Sequence, residues 1–509
     1  MAFKLPRLEP KKFLALTSVI GGMAMSANAW ALPSFARQTG WSCATCHTSF
    51  PQLTPMGRMF KLMGFTTTNL QPQQKIEAKV GNQVRLFLPR ISQFSVFVQA
   101  SATNVAGGQQ VLGGSSATRA GGSAVTSNNN IEAPQQVSLF YAGALSTHVG
   151  DFMHITYSGG GGFGFDDSSV VHTHAYSLGR NNTLIVGEDV NNTPTAMDVW
   201  NTSTDWNSPF YYSDYTAYGS VPTSFIGSSP GAAFPLIGVG AYVADIFGAN
   251  RANWLYFDAD VYHNSEGIGT APNSGGAFNA GGTNADNVPG TNATGNPVYY
   301  VNSGQLASDA PYIRLAYQHD WSKWNWEVGT YDMWSRVYVN PTAPAGAVNQ
   351  FDDYDLDSQL QYLNINTNNN LTLRVNDIYE TQKFADPTLY GDSSVSSGHL
   401  NTLNLSATYW WHDEYAAQGG FQSTTGTANA LYWGTGATSA NGHTALWSSN
   451  GSPNSTDEWV EASYLPWWNM RFSVRYTMFN KFRGLTGATA ATPSASKFNT
   501  VELLAWFSY

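Results

Sequence analysis

Arg471-Phe472-Ser473-Val474-Arg475-Tyr476-Thr477-Met478 alternates polar and apolar from one end to the other. A strand sends successive side chains to opposite faces. The two arginines, Ser473 and Thr477 therefore share one face, and Phe472, Val474, Tyr476 and Met478 the other. The theme recurs along the chain. Val84-Arg85-Leu86-Phe87-Leu88 starts it and Phe94-Ser95-Val96-Phe97-Val98-Gln99 continues it. Leu255-Tyr256-Phe257-Asp258-Ala259-Asp260-Val261 puts two carboxylates on one face, and Leu371-Thr372-Leu373-Arg374-Val375-Asn376 an arginine. In a soluble sandwich the apolar face would be the inside. Charge recurring on the polar face instead suits a wet lumen, with the apolar faces toward lipid.

Working outward from these strands, Trp and Tyr cluster at segment ends: Tyr409-Trp410-Trp411, Trp321 with Trp324 and Trp326, and Trp467-Trp468. Such residues favour the two membrane interfaces. The chain closes on Val501-Glu502-Leu503-Leu504-Ala505-Trp506-Phe507-Ser508-Tyr509, an amphipathic strand ending in an aromatic. The expected fold class is all-β, a transmembrane antiparallel β-barrel over residues 75–509. An even number of strands is the rule for bacterial barrels, which points to about 16. Spanning needs about 9–11 residues per strand, so the surplus belongs in loops. The Gly/Asn/Ser-rich stretches 107–130, 267–296 and 341–349 are expected to be extracellular.

Composition agrees. Of 509 residues 11% are charged and 14% aromatic, against roughly 25% charged in an ordinary globular protein. After the first thirty or so residues no run of 18 apolar residues occurs, which excludes a helical membrane protein. The aromatic content excludes a disordered chain.

Lys4, Arg7, Lys11 and Lys12 precede the apolar stretch 13–27 and the small-residue frames Ala27-Asn28-Ala29 and Ala29-Trp30-Ala31. Residues 1–31 read as a cleaved signal peptide. They hold four of the 24 basic residues and one of the 34 acidic ones, leaving a mature chain of net −13. That balance argues against a nucleic-acid partner.

The mature chain opens on residues 32–74, where Cys43-Ala44-Thr45-Cys46-His47 contains the only two cysteines. C-x-x-C-H is the attachment motif of one c-type haem. Two thiols on one helical turn reach the two vinyl groups, and His47 supplies the proximal imidazole. A zinc site would need two more ligands at suitable spacing, and no βαβ pattern supports a thioredoxin-like site. Downstream, Thr54 as N-cap, Pro55 at the first helical position and Gly64 as stop predict a short helix. Met56, Met59 and Met63 share one of its faces. Met59 is the first candidate for the sixth iron ligand and Met56 the second; a histidine from elsewhere or an open position are the alternatives. Arg37, Arg58 and Lys61 could pair with haem propionates or be solvated charges. A segment this short struggles to build its own core, and a wide barrel leaves a channel unless something fills it. Residues 32–74 are therefore expected as an α-helical, haem-binding plug in the lumen.

Phe35-Ala36-Arg37-Gln38-Thr39-Gly40, the C-x-x-C-H motif and the stretch from Pro51-Gln52-Leu53-Thr54-Pro55-Met56 to Phe65, fused to a porin-like remainder, resemble the fused monohaem cytochrome c–porin family. Its best-known members are outer-membrane iron oxidases of acidophilic iron-oxidising bacteria. The resemblance covers the whole architecture, although only about the first 75 residues carry specific motifs. It implies a cell-outer-membrane protein that oxidises extracellular Fe(II). The electron would enter at the single haem c, with His47 the residue at the redox centre. A periplasmic c-type cytochrome or copper protein would accept it. Cys43, Cys46 and His47 match the family motif; Met59 and Met56 rest on chemistry alone. Many porins are trimers, so a homo-oligomer is a further expected partner beside outer-membrane lipid. Few ionisable groups also suit an acidic exterior, where carboxylates of ordinary pKa are neutral; a lipid-facing barrel would have the same composition.

No iron-entry site stands out. Asp352, Asp353, Asp355 and Asp357 offer oxygen ligands but read first as a solvated turn. His172 and His174 share one face of a strand without forming an evident site. The competing functions are an outward electron conduit, which wants a low haem potential, and a haem-plugged porin that senses or reacts with a small molecule, which wants an open sixth position.

Overall fold

The computed structural model describes residues 33–67 (except Ser49), 75–80, 83–89, 93–108, 129–158, 163–202, Ser213, Thr216, 221–228, 236–265, 290–291, 297–298, 306–339, 347–385 (except Ile365), 393–430, 432–433, 451–488 and 493–509. The expected signal peptide and most of the loops 107–130, 267–296 and 341–349 lie outside these residues.

Sixteen antiparallel strands close into one barrel. In chain order they are Phe94–Val105, Asn129–Ala144, Val149–Ser158, a strand interrupted between Phe163–Phe165 and Ser169–Ser177, Thr183–Asn191, Leu236–Phe247, Asn253–Asn264, Ala310–Trp321, Trp324–Tyr338, Val348–Asn364, Asn369–Lys383, Ser397–Trp411, Tyr415–Gly426, Ser455–Trp467, Met470–Lys481 and Thr500–Ser508. The last strand pairs with the first, from Thr500 opposite Val105 to Ser508 opposite Phe97. Closure leaves no open sheet edge, the condition for a sheet to span a bilayer.

The barrel is inverted relative to a soluble protein. Asp258, Asp260, Arg314, Glu327, Asp357, Arg374, Glu461 and Arg475 are buried on inward faces, while Leu255, Phe257, Val261, Leu315, Leu356, Val460, Val474 and Leu503 are exposed outside. Charges pair between neighbouring strands on the lumen wall: Arg471 and Arg475 lie 2.6 and 2.7 Å from the two oxygens of Glu461. Trp321, Trp411, Tyr415 and Trp467 mark one outer rim, and Tyr354, Tyr379 and Tyr476 stand exposed nearer the other. An apolar band between aromatic girdles is the signature of a transmembrane β-barrel.

Three expectations need correction. The segment 83–89 does not start the barrel: Lys75–Val80 and Gln83–Pro89 pair only with each other, so the closed sheet begins at Phe94. Asp352, Asp353, Asp355 and Asp357 form no turn; they lie within the strand Val348–Asn364, with Asp353, Asp355 and Asp357 buried on its inward face. Trp410 is no girdle residue. Its parity turns it inward, where it is buried beneath the Arg471 guanidinium, 5.7 Å away.

Short turns such as 321–324, 411–415 and 467–470 gather at one end of the barrel, together with the start of its first strand and the end of its last. The long connections leave from the other end. The described residues of one of these, 192–202, Ser213, Thr216 and 221–228, turn into the lumen. Asp198 lies 3.3 Å from Arg314. The backbone N–H groups of Phe225 and Ile226 donate to Glu380 and Asp353, each at 2.6 Å. Inward carboxylates thus satisfy the backbone of a segment that would otherwise bury unpaired donors.

Candidate cofactor site in the barrel lumen

Helices α1 (Pro33–Thr39), α2 (Cys43–Cys46) and α3 (Pro55–Leu62) precede the barrel in sequence and lodge inside its short-turn end. Local sequence accounts for α3. The Thr54 hydroxyl caps it by accepting from the Gly57 N–H, Pro55 takes a position needing no donor, and Gly64 adopts φ +59° just past its end.

Fastening comes from the walls. In α1, Gln38 donates to the Ala142 carbonyl at 2.9 Å and accepts from the Ala144 N–H. Ser34 N–H donates to the Ser95 hydroxyl, and Arg37 to the Phe94 carbonyl. In α3, Arg58 is fully buried and donates to Gln318, Asn325, Gln361 and the Leu53 carbonyl. Tyr242 donates to the Leu62 carbonyl at 2.5 Å. The plug is thus held by at least five barrel strands.

Between plug and walls lies a cavity open on one side. Phe35, Trp41, Phe50, Phe60 and Phe65 supply its aromatic surface, and Ala196 and Asn201 of the inward loop border it. Cys43, Cys46 and His47 all face it. His47 is half-buried, and its Nδ1 is itself buried with no hydrogen-bond partner. Burial pushes its pKa down to about 4, keeping it in the neutral form that ligates metals. Burial likewise raises the Cys46 thiol to about 11, with Cys43 adding to the effect. Two thiols on one helical turn, the next residue an imidazole with an orphaned nitrogen, and an aromatic-walled cavity against all three fit a c-type haem. Cys43, Cys46 and His47 would hold it.

The methionines are placed elsewhere. Met56 is 47% exposed, and Met59 and Met63 pack against a buried cluster containing Val171, Trp200 and Tyr242. None of the three lines the cavity; Gly57, Phe60 and Lys61 form the α3 face that does. The reason is steric. A Cβ at Gly57 would stand 2.2 Å from the Cys46 carbonyl oxygen, so only a glycine can face α2 at this crossing, and that orientation turns the methionine face away. Gly57→Ala should therefore displace α3 from α2. Because the clash is backbone against side chain, the expected cost is about 1–3 kcal/mol. It would be read as a lower temperature for loss of plug protection from protease, with barrel melting unchanged; an unshifted plug transition would refute the crossing.

The three basic residues serve as neither solvated charges nor, in the case of Arg58, a cavity cation. Arg58 is spent on the wall. Arg37 sits 5.9 Å over the Tyr509 ring. Lys61 lines the cavity and donates to the Asp198 carbonyl and the Asn201 side chain at 2.6 and 3.0 Å. Burial pushes its pKa down to about 8, opposed by Asp198. His172 and His174 point away from the lumen. His174 lies 5.1 Å from His172 and stacks on His148 at 4.2 Å, ring centre to ring centre. The contribution of residues 192–202 to the cavity was not expected from sequence; the only hint is that this loop, unlike the Gly/Asn/Ser-rich ones, carries a compact Met197-Asp198-Val199-Trp200 core.

No family model and no curated protein sequence matches the chain. Among solved structures it is similar to the outer membrane channel DcaP of Acinetobacter baumannii, at 10% identity and TM-score 0.39 over 82% of this chain and 96% of that one. It is also similar to Salmonella typhi OmpF in complex with daunomycin, at 10% and 0.40 over 82% and 97%. A third is the trimer form of OmpT, an outer membrane protein of Vibrio cholerae, at 8% and 0.38 over 82% and 98%.

Proposed function

We propose that this chain is an outer-membrane c-type cytochrome that oxidises extracellular Fe(II), a one-electron iron oxidoreductase that passes the electron to a periplasmic c-type cytochrome or copper protein. One observation carries the reading: the C-x-x-C-H residues line an aromatic cavity in a plug fastened inside a transmembrane barrel. When bound, haem c supplies a one-electron site that can be reduced from one side and reoxidised from the other.

The chain's own residues do the rest. Cys43 and Cys46 would anchor the group, and His47 would offer it a neutral ring nitrogen. Phe35, Trp41, Phe60 and Phe65 exclude water, which is one of the protein's levers on a haem potential. Barrels of this type carry short turns on the periplasmic side and longer loops outside. The plug at the short-turn end is therefore close to a periplasmic acceptor, and the donor approaches through the loop end.

The test is anaerobic mixing of oxidised, haem-loaded protein with Fe(II) at acidic pH, following the c-haem absorption band. Reduction by Fe(II) is the expected result. A haem that stays oxidised with Fe(II) yet reduces with dithionite sinks the reading. A second reading, a haem-plugged channel that reacts with a small molecule, draws on the absence of any methionine from the cavity lining; it expects the reduced protein to bind carbon monoxide.

A further inference from the structure

Asp189, Asp258 and Asp260 stand on the loop side of the plug, each buried, with one carboxylate oxygen of each within 4.8 Å of the others. The register brings them together. Asp189 and Asp260 are both directly opposite Gly240, on the two strands flanking Leu236–Phe247. A Cβ at Gly240 would stand 1.8 Å from an oxygen of Asp260. The missing side chain leaves the space that the Asp260 carboxylate fills, which lets it lie toward Asp189 on the far side of the strand. Asp258, two residues before Asp260 on the same inward face, completes the group.

The hydrogen bonding is lopsided. Asn191 donates to one oxygen of Asp189 at 2.7 Å and one of Asp260 at 3.2 Å, and its own oxygen is held by the Tyr262 hydroxyl at 2.8 Å. The other oxygen of Asp189, the other of Asp260, both oxygens of Asp258 and the hydroxyl of buried Tyr256 make no hydrogen bond of ordinary geometry, and the side chains they approach lie within the group itself, Asp189 with Asp260 and Tyr256 with Asp258. Asp353 and Glu380, by contrast, bind the backbone of the inward loop, and Glu461 has two arginines. Asp151 and Asp457 also lack such hydrogen bonds at both oxygens, but neither belongs to a cluster of three carboxylates among the described residues. Arg314, opposite Asp258 in register, is committed to Asp357 at 2.9 Å, with Asp198 and Glu327 at 3.3 and 3.5 Å. Buried polar atoms left without hydrogen bonds are costly. Three buried carboxylates with one oxygen of each within 4.8 Å of the others, and Asp258 without a hydrogen bond of ordinary geometry from any arginine or backbone donor, are the donor set of a divalent cation.

We propose that Asp189, Asp258 and Asp260 bind a divalent first-row cation in the lumen, with Asn191 orienting two of the ligands and Gly240 leaving the space. Resting on the functional reading above, that cation is the Fe(II) donor. It would give up one electron to the haem that Cys43, Cys46 and His47 would hold, and would leave as Fe(III). The neighbours suit this position. Tyr242, opposite Asp258, bonds the Leu62 carbonyl of the plug. Its ring lies 5.7 Å from Tyr256, which lies 5.5 Å from Trp200, next to cavity-lining Asn201. An unbroken run of aromatic contacts thus leads from the carboxylates to the plug.

The test titrates haem-loaded full-length protein in detergent at near-neutral pH with Mn(II), a redox-inert probe, and counts bound ion by loss of the free Mn(II) electron-spin signal. The wild type is expected to take up one ion per chain. Asp258→Asn and Gly240→Ala, the second of which keeps all three carboxylates, should each weaken uptake by at least about 100-fold, more than loss of an outer-shell partner costs. Asp457→Asn, at a buried but solitary lumen carboxylate, should leave it unchanged. Heat-shifted gel mobility verifies that each variant is a folded barrel. No uptake by the wild type, or equal uptake by Asp258→Asn, overturns the site. The functional reading is judged separately: Mn(II) uptake at the triad with no haem reduction by Fe(II) leaves the site and removes the iron oxidase, whereas haem reduction without Mn(II) uptake does the reverse.

Discussion

Replacing Cys43 and Cys46 together by serine is expected to abolish covalent haem, from one per chain to none, while the barrel still folds. The measurement is haem-dependent peroxidase staining after denaturing electrophoresis, on protein produced with a cytochrome c maturation system. Staining that survives denaturation reports thioether bonds, and these two residues are the only cysteines in the chain. Both line the cavity beside His47. The barrel should be insensitive, because closure rests on strand pairing, with Thr500–Ser508 joined to Phe94–Val105, and the plug is fastened through Arg58, Gln38 and the Leu62 carbonyl rather than through the thiols. His47→Ala should instead retain the stain and change the absorption spectrum, since attachment and ligation use different residues. Covalent pigment in the double variant, or none in the wild type, would remove the basis for an electron-transfer function.

Arg58→Met should release the plug. The guanidinium is fully buried and holds four acceptors, three of them side chains on three barrel strands and the fourth the Leu53 carbonyl. Burial lowers its pKa to about 10, against the pull of Glu327 foremost, so it remains charged at neutral pH. Hydrogen bonds to a charged donor contribute roughly 1.5–3 kcal/mol each, and acceptors left buried and unpaired add their own penalty. Part of that gain is offset because the cation itself no longer has to be desolvated, so the expected net loss is about 3 kcal/mol, or about two orders of magnitude in the docking equilibrium. Two measurements follow it: protease cleavage between the plug and the barrel, and ion conductance in a planar bilayer. Both should rise over the wild type. Arg58→Lys, which keeps the charge but loses the planar fork, should fall between them. Unchanged conductance and unchanged protection in Arg58→Met would mean the plug is held by something other than this residue.

The barrel was legible because period-2 alternation is a local property. Leu255-Tyr256-Phe257-Asp258 reads the same on paper as in the wall, where Leu255 and Phe257 are exposed and Asp258 buried. Short clusters misled where parity mattered more than composition. Asp352 to Asp357 looked like a turn because four carboxylates in six residues would repel one another in water. In the lumen three of them face Arg314, the inward loop and Asn376 instead. The methionine face of α3 was correctly read as one face, but nothing in the helix itself says which way that face turns. The approach of Gly57 to Cys46 decides it.

An all-β barrel of about sixteen strands with one C-x-x-C-H segment ahead of it follows from spacing within a few residues. The tertiary structure alone decided where the plug sits, that residues 192–202 border its cavity, that no methionine does, and that three aspartates from two strands converge beside Gly240. Such contacts join residues far apart in the chain. Strand register and helix rotation set them, and both are fixed only when sixteen strands and a plug must satisfy their packing and hydrogen bonds together.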